Sequence, residues 1–560
     1  MPVGGRTNDK RREIRLVAGR AARKATGTFY TPRSITTHLV QRTLGPLVTG
    51  ASPDQVLSLR VVDPAMGSGA FLVAACRYLA AAYESATIDA GGCHPSDISD
   101  ADRRAFRRLV AQQCLFGVDR NPMAVQLARL SLWLCTLAPD RPLTFLDHHL
   151  VVGDSLVGAS IADLSRRPPA STGHRRETRD DLPRLPLFED DQVGPAIRDV
   201  LPAWSRLSST PDESLEVVRE KERLLAKVAG PSSPVSAWKA AADLWCSFAF
   251  RSGDRDSHAR LFPPLADLLL TGRSTLPHAT AERWLGEARA MAAERRFFHW
   301  PLEFPDVFYA PDGTPRERAG FDAVIGNPPW DMIRKDADGG AGGETPARGD
   351  EARCLLGFAR SSGIYRAQGD GHGNLFQLFV ERACHLARAG GRIGLVVPWG
   401  LASDHGCASL RRLLFDRCRV DGLVGFDNAA AVFPIHRGLR FLLVTASTGS
   451  RTEALPCRLG IRDPDVLDST AGEADASDKT PWVVMTRGLL ERLSPGQLAV
   501  PDARSATDLA LLEKTAAIAP PLGSPEGWGA EFGRELNAAD DRRHFERGGH
   551  GLPVLEGKHL

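Results

Sequence analysis

An α/β fold with an open, mostly parallel sheet is expected from three features of this 560-residue chain. First, three apolar runs each lead into an acid: Leu59 to Val62 into Asp63, Leu115-Phe116-Gly117-Val118 into Asp119, and His149 to Gly153 into Asp154. Second, helix-like apolar periodicity separates the runs, from about Ala70 to Tyr83 and from Pro122 to Leu137. Third, a further apolar run, Phe321-Asp322-Ala323-Val324-Ile325-Gly326, reads as a strand buried on both faces. Acids at the carboxyl ends of parallel strands lie where open α/β sheets bind ligands.

The first corner, Val61-Val62-Asp63-Pro64-Ala65-Met66-Gly67-Ser68-Gly69-Ala70-Phe71-Leu72, reads as strand, acid, glycine-rich turn and helix. Gly67 and Gly69 let a ligand approach the backbone, and the helix start favours a carboxylate. The spacing is not Gly-x-Gly-x-x-Gly, which argues against a dinucleotide. Asp119, ending the second run, suits both hydroxyls of a ribose, and Asp154 suits an exocyclic amine on an adenine ring. A lone acid after a strand is commonly a helix cap; three in this order point to a nucleoside-bearing ligand.

After the fourth run comes Asn327-Pro328-Pro329-Trp330. The two prolines end the strand and fix the backbone, leaving carbonyls without a sheet partner. The Asn327 amide oxygen and the Pro328 carbonyl, held side by side, form a rigid pair of acceptors for an NH2 group. Trp330 offers a face on which the ring carrying that amine can stack. An amino group conjugated with a ring is a poor nucleophile. Accepting both of its N–H bonds draws the nitrogen toward tetrahedral geometry and frees its lone pair. Positioning such an amine in line with an activated methyl is worth roughly 7–11 kcal/mol of barrier.

Together these motifs resemble the adenine-N6 DNA methyltransferases of the gamma motif order, class I enzymes dependent on S-adenosyl-L-methionine. The similarity is to the methylase portion of fused type II restriction–modification enzymes and related phage-defence methylases. It implies a Rossmann-like, mostly parallel seven-stranded sheet with flanking helices. It also implies that Thr26-Gly27-Thr28-Phe29-Tyr30-Thr31-Pro32 closes over the methionine part of the cofactor, through Tyr30, Thr31 and Pro32. Asp63, Pro64, Ala65, Gly67, Gly69, Asp119 and Asp154 become the other cofactor-binding residues. Asn327, Pro328, Pro329 and Trp330 become catalytic, and Phe433, in Phe433 to Phe441, packs against a base flipped out of the duplex. Asn374-Leu375-Phe376 opens a helix expected to reach Ala389, before a strand from Arg392 to Val397.

Composition fits a soluble cytoplasmic enzyme: 43% hydrophobic and 25% charged residues, with no apolar run of membrane-spanning length and no secretory signal core. Ten scattered cysteines without a Cys-x-x-Cys pair suggest free thiols, and no metal site is expected. A net charge of +2 says little about partners. Lys10, Arg11, Arg12, Arg15, Arg20, Arg23 and Lys24 suit phosphates or a solvated helix face equally well. Arg334 and Lys335 lie where a flipped nucleotide must pass.

The expected organisation is an N-terminal basic segment (1–55), a cofactor-binding half (56–160), a helical insert (161–305), a catalytic half (306–450) and a linker opening a truncated target-recognition region (451–560). Within the insert, 166–191 reads as loop, while Leu224, Leu225, Trp238, Ala241, Leu244 and Trp245 mark an apolar helical face. Residues 338–373 read as a mobile glycine-rich loop. Asp427-Asn428 reads as a strand end, not a nuclease site. The chain is therefore expected to methylate double-stranded DNA without cutting it, with recognition from missing sequence or from a separate specificity, nuclease or defence-complex subunit. The alternatives are a class I methyltransferase acting on RNA or protein glutamine, a cytosine-N4 enzyme, or a catalytically silent DNA-binding subunit. Asn327 argues against the cytosine enzyme, which usually carries Ser there.

Overall fold

The computed structural model describes residues 31–169, 193–251, 255–333, 346–369, 373–467 and 481–530. Helix α1 (Arg33–Val48) leads into β1 (Val61–Asp63), α2 (Ala70–Asp89), α3 (Asp100–Gln113), β2 (Leu115–Asp119), α4 (Pro122–Thr136) and β3 (Leu150–Val152). The insert follows as α5 (Gly194–Ser209), α6 (Leu215–Ala229), α7 (Ser236–Ser247), α8 (Arg255–Thr271) and α9 (His278–Arg295). The chain returns through β4 (Phe321–Gly326), α10 (Pro346–Ser361), α11 (Leu375–Leu386), β5 (Ala387–Pro398), α12 (Ala408–Arg417), β6 (Cys418–Asp427) and β7 (Arg440–Thr448). Strands β8 (Ala454–Ile461) and β9 (Val483–Thr486) precede α13 (Arg487–Leu493) and α14 (Ala506–Ile518).

One sheet runs in the order β3-β2-β1-β4-β5-β7-β6-β8-β9. Strands β1 to β5 pair in parallel, and β7 is antiparallel to both β5 and β6. Seven strands form the expected mostly parallel class I sheet. The stretch read as linker supplies two more, β8 parallel to β6 and β9 antiparallel to β8. The order reverses between β1 and β4, so their carboxyl ends flank the crevice typical of doubly wound sheets. Val61 and Val62 lie opposite Ala323 and Val324, which sets Asp63 and Gly326 side by side.

Burial explains the strands. All six β4 residues are buried, as a run without polar alternation requires at the centre of a two-faced sheet. One apolar core holds Ile35, Leu39, Phe71 and Leu72 against Val61, Ala323 and Ile325; the opposite core holds Val62, Phe116 and Val324 against Phe304, Phe376 and Val380. The insert has its own core, in which Trp238, Ala241, Leu244 and Trp245 are buried and Leu224 and Leu225 pack partly buried, as their periodicity suggests.

Polar contacts through Asp212 and Ser208 tie the insert to the sheet domain. Lys221 pairs with Asp212 at 2.7 Å, both buried, and Asp212 also accepts from the Phe145 amide at 2.7 Å and from Gln112 of α3. Ser208 of α5 contacts both His148 (3.2 Å) and His149 (3.3 Å). Burial, with the Lys221 charge adding, holds His148 down to about 3, so the pair stays neutral at physiological pH.

Of the stretch 338–373, residues 338–345 and 370–372 lie outside the described residues, and 346–369 do not form the open loop expected from the glycines. Pro346–Ser361 is helical, and Leu356, Phe358 and Ala359 are buried against the insert core. Good helix formers in Glu351-Ala352-Arg353-Cys354-Leu355-Leu356 outweigh the glycine-rich flanks.

Candidate active site

At the first corner β1 stops at Asp63, and the chain turns through Gly67 (φ 54°) and Gly69 (φ 81°) into α2. Both backbones lie in the left-handed region, which only glycine adopts without cost. A Cβ on Gly69 would also sit 3.1 Å from Ala128 of α4. At Gly67 a Cβ would meet nothing within 4 Å, so this side of the turn is open to a ligand. The Ser155 hydroxyl donates to the Pro64 carbonyl at 2.5 Å and braces the turn from the β3 side.

The three acids converge on this turn. Asp63 is buried, and its Oδ1 accepts from the Ala65 amide at 3.0 Å. Burial pushes its carboxyl up to about 8 against that hydrogen bond, and the Asp119 charge adds to the rise. Asp119 accepts from the Gly67 amide at 2.9 Å and the Asn121 amide at 2.7 Å, one on each oxygen. Each oxygen therefore keeps a lone pair for a diol. Burial raises Asp119 too, opposed by those amides. Asp154 lies two residues past the end of β3, accepts from the Leu156 amide at 3.0 Å, and has Arg120 at 3.9 Å. Burial raises it and Arg120 lowers it. Arg120 in turn pairs with Glu351 of α10, which brings that helix to the rim of the corner.

Asn327 leaves β4 directly beside this corner. Gly326 before it (φ 157°) approaches Asp63 so closely that a Cβ would stand 2.6 Å from the carboxylate. The Asn327 Nδ2 donates to the Thr31 hydroxyl at 3.2 Å, and Thr31 is 4% exposed. The Asn327 Oδ1 is buried and has no hydrogen-bond partner among the described residues, and the same holds for Trp330 Nε1. A buried amide oxygen without a partner costs about 1–3 kcal/mol, a cost that a ligand donor would recover.

Trp330 is half-buried and packs edge-on against Phe433 at 5.4 Å between ring centres. Phe433 does not offer a free face as expected: it is 1% exposed and also packs against Phe441 at 4.8 Å. Asn428 organises this loop, accepting from the Phe433 amide at 2.9 Å and donating to the carbonyls of Phe433 (3.1 Å) and His436 (3.4 Å). Its neighbour Asp427 closes a cluster of ion pairs with Arg440 and Arg504, in keeping with a strand end.

The corner with three acids and Asn327 come from opposite sides of the insert, and two family comparisons together span both. The sequence profile of the Eco57I restriction-modification methylase matches residues 113–433, more than half of the chain. The chain belongs to the Eco57I restriction-modification methylase family. A profile for N-6 DNA methylase matches residues 16–142, which contain the glycine-rich corner. No curated protein matches the sequence.

Solved structures to which the chain is similar include a nuclease-deletion mutant of the Type ISP restriction-modification enzyme LlaGI in complex with a DNA substrate mimic. It is 11% identical over 79% of this chain and 25% of its own length, with a TM-score of 0.37. The DrdV–DNA complex is 11% identical over 86% and 32%, with a TM-score of 0.39. The EcoKI M protein is 13% identical over 88% and 71%, with a TM-score of 0.35. The Eco57I-family chain thus spans about a quarter of LlaGI and a third of DrdV.

Of the residues expected to form the site, Thr31, Asp63, Pro64, Ala65, Gly67, Gly69, Asp119, Asp154, Asn327 and Trp330 gather at the carboxyl edge of β1, β2, β3 and β4. Pro328 and Pro329 follow in the same turn. Pro32 starts α1, its carbonyl accepting from the Thr36 amide at 3.0 Å. Tyr30, Arg334, Lys335 and the basic stretch from Lys10 to Lys24 lie outside the described residues. Sequence reading missed Ser155, Gly326, Asn428 and the pair Tyr365 and Arg382, whose side chains donate to the Leu156 carbonyl at 2.7 and 3.3 Å. Only Asn428, directly after a strand-end acid, carried a local signal. Among the described residues no acid, His or Cys cluster could hold a metal ion, and no helix is long and apolar enough to cross a membrane.

Proposed function

We propose that this chain transfers a methyl group from S-adenosyl-L-methionine to N6 of an adenine flipped out of double-stranded DNA, within a restriction–modification or phage-defence system. The observation that carries the reading is the buried, unpartnered Asn327 Oδ1, oriented by Thr31 and one residue from the Gly326–Asp63 contact. The open side of Gly67 and the spare lone pairs of Asp119 fit the cofactor. Asp63, Pro64, Ala65, Gly67 and Gly69 would cradle it, Asp119 would take its ribose hydroxyls, Asp154 its adenine amine, and Thr31 and Pro32 its methionine end. When bound, the cofactor supplies a methyl on a sulfonium, already a good leaving group.

The protein's part is to hold the amine. Asn327 Oδ1 and the Pro328 carbonyl would accept hydrogen bonds from the two N6 hydrogens, which directs the lone pair at the methyl. One of those protons would leave to solvent once N6 carries the methyl. Trp330 supplies the stacking face, and Phe433 backs it instead of touching the base. Burial excludes water from these acceptors and strengthens both bonds. A separate specificity, nuclease or defence-complex subunit would be the chain's partner on the DNA.

The test is methyl transfer by the purified chain from isotope-labelled S-adenosylmethionine, offered duplex DNA, RNA and protein in parallel. Nucleoside digestion and mass spectrometry should show N6-methyldeoxyadenosine in the DNA. Label in RNA or protein with the DNA unlabelled would overturn the reading.

A further inference from the structure

Helix α4 is apolar on both of its faces. One face, with Ala124, Val125, Ala128 and Leu132, is buried against the sheet domain. The other presents Met123 (65% exposed), Leu127 (45%), Leu130 (47%), Leu134 (67%) and, just past its end, Leu137 (53%). Their spacing of four, three, four and three residues is the seam of a coiled coil. Among the described residues the exposed apolar face carries no unpaired charge: Arg129, beside it, is turned to Asp147 at 2.6 Å, and Gln126 is the exposed neighbour. A helix apolar all round is normally buried all round.

We infer that this face is the interface between two copies of the chain, paired antiparallel through α4 about a two-fold axis near Leu130. Three observations favour a second copy. The seam is self-complementary, because a two-fold axis at its middle sets apolar positions on apolar positions along its length. It carries no net charge, so two copies meet without repulsion, and phosphates find no basic group on it. Each exposed side chain offers on the order of 100 Å² of surface. Two copies then bury about 1,000 Å² in total, the lower edge of a specific interface. Because α4 begins three residues after Asp119, the same contact would anchor the Asp119–Asn121 turn from outside the site.

Sedimentation velocity of the full chain over the micromolar range tests this. The expected result is a monomer–dimer equilibrium, weakened at least roughly 100-fold by Leu127→Asp with Leu134→Asp. Leu130→Cys, beside the axis, should give a dimer-sized disulfide product under mild oxidation that the unmodified chain does not give. This second variant keeps the inference testable if the charged pair does not fold. A chain monomeric throughout the range, a dimer that survives both aspartates, or a dimer in which Leu130→Cys does not cross-link would overturn it.

Discussion

The Asn327 side-chain amide donates to the Thr31 hydroxyl across 3.2 Å, although 296 residues separate the two in sequence. That bond commits the amide nitrogen and turns the Asn327 oxygen, buried and unpartnered, toward whatever occupies the site. Thr31 thereby acts on the proposed amine acceptor as well as standing in the segment expected to close over the cofactor.

Replacing Asn327 with Ala removes one of the two proposed acceptors. By analogy with loss of one oxyanion donor, the rate should fall about 100- to 1,000-fold. Cofactor affinity, measured by calorimetry, should stay within a few-fold. A variant that turns over normally would remove Asn327 from the chemistry.

Thr31→Val leaves the Asn327 amide nitrogen without its acceptor and lets the side chain turn. The loss of about 1–2 kcal/mol predicts a fall in rate of roughly tenfold, with Thr31→Ser near the parent. Equal activity of the Val and Ser variants would show that the hydroxyl does not orient Asn327.

Asp63 predicts a pH dependence. Its folded-state carboxyl, raised to about 8 by burial, stands above the unfolded value of 3.8. The folded state therefore holds the extra proton between these values. Asp63 contributes its full stability below about pH 4 and loses it as pH rises through 8. Asp63→Asn should flatten the fall in melting temperature between pH 6 and 9. Parallel curves for the two proteins would show that Asp63 is already ionised in the fold.

Much of the catalytic half was legible because its signals are local. Phe321 to Gly326 announces a central strand by apolarity alone, and the prolines after Asn327 announce where it stops. The burial of Phe433 was not legible, since a phenylalanine in a loop reads alike whether it meets a ligand or Phe441. Gly326 shows the other limit. Its need for glycine comes from Asp63, 263 residues away, and no local pattern reports a contact between strands that pair only in the folded sheet. The helix at Pro346–Ser361 was hidden for a related reason, because flanking glycines masked the residues it buries against the insert.

Asn428→Ala should loosen the loop that carries Phe433, because it removes three hydrogen bonds inside a buried setting. A cost of about 2–3 kcal/mol is expected. Limited proteolysis between 428 and 440 should speed up, and Trp330 should lose its backing ring. An unchanged cleavage pattern and melting temperature would assign the loop's order to the packing of Phe433 alone.

Asp119→Ala removes the acceptor for the Gly67 and Asn121 amides and the proposed partner of the ribose. The dissociation constant for S-adenosylmethionine should rise by roughly 10- to 100-fold. An unchanged constant, with the fold intact by circular dichroism, would take Asp119 out of the cofactor site.

The central claim is that Asn327 directs methyl transfer to adenine N6 in DNA. Its most direct measurement is long-read sequencing of modified bases in DNA from a methylation-free host expressing this chain or its Asn327→Ala variant. The account predicts N6-methyladenine at a recurring sequence, absent with the variant. Methylation that persists undiminished in Asn327→Ala, or methyl groups placed on cytosine instead, would contradict it.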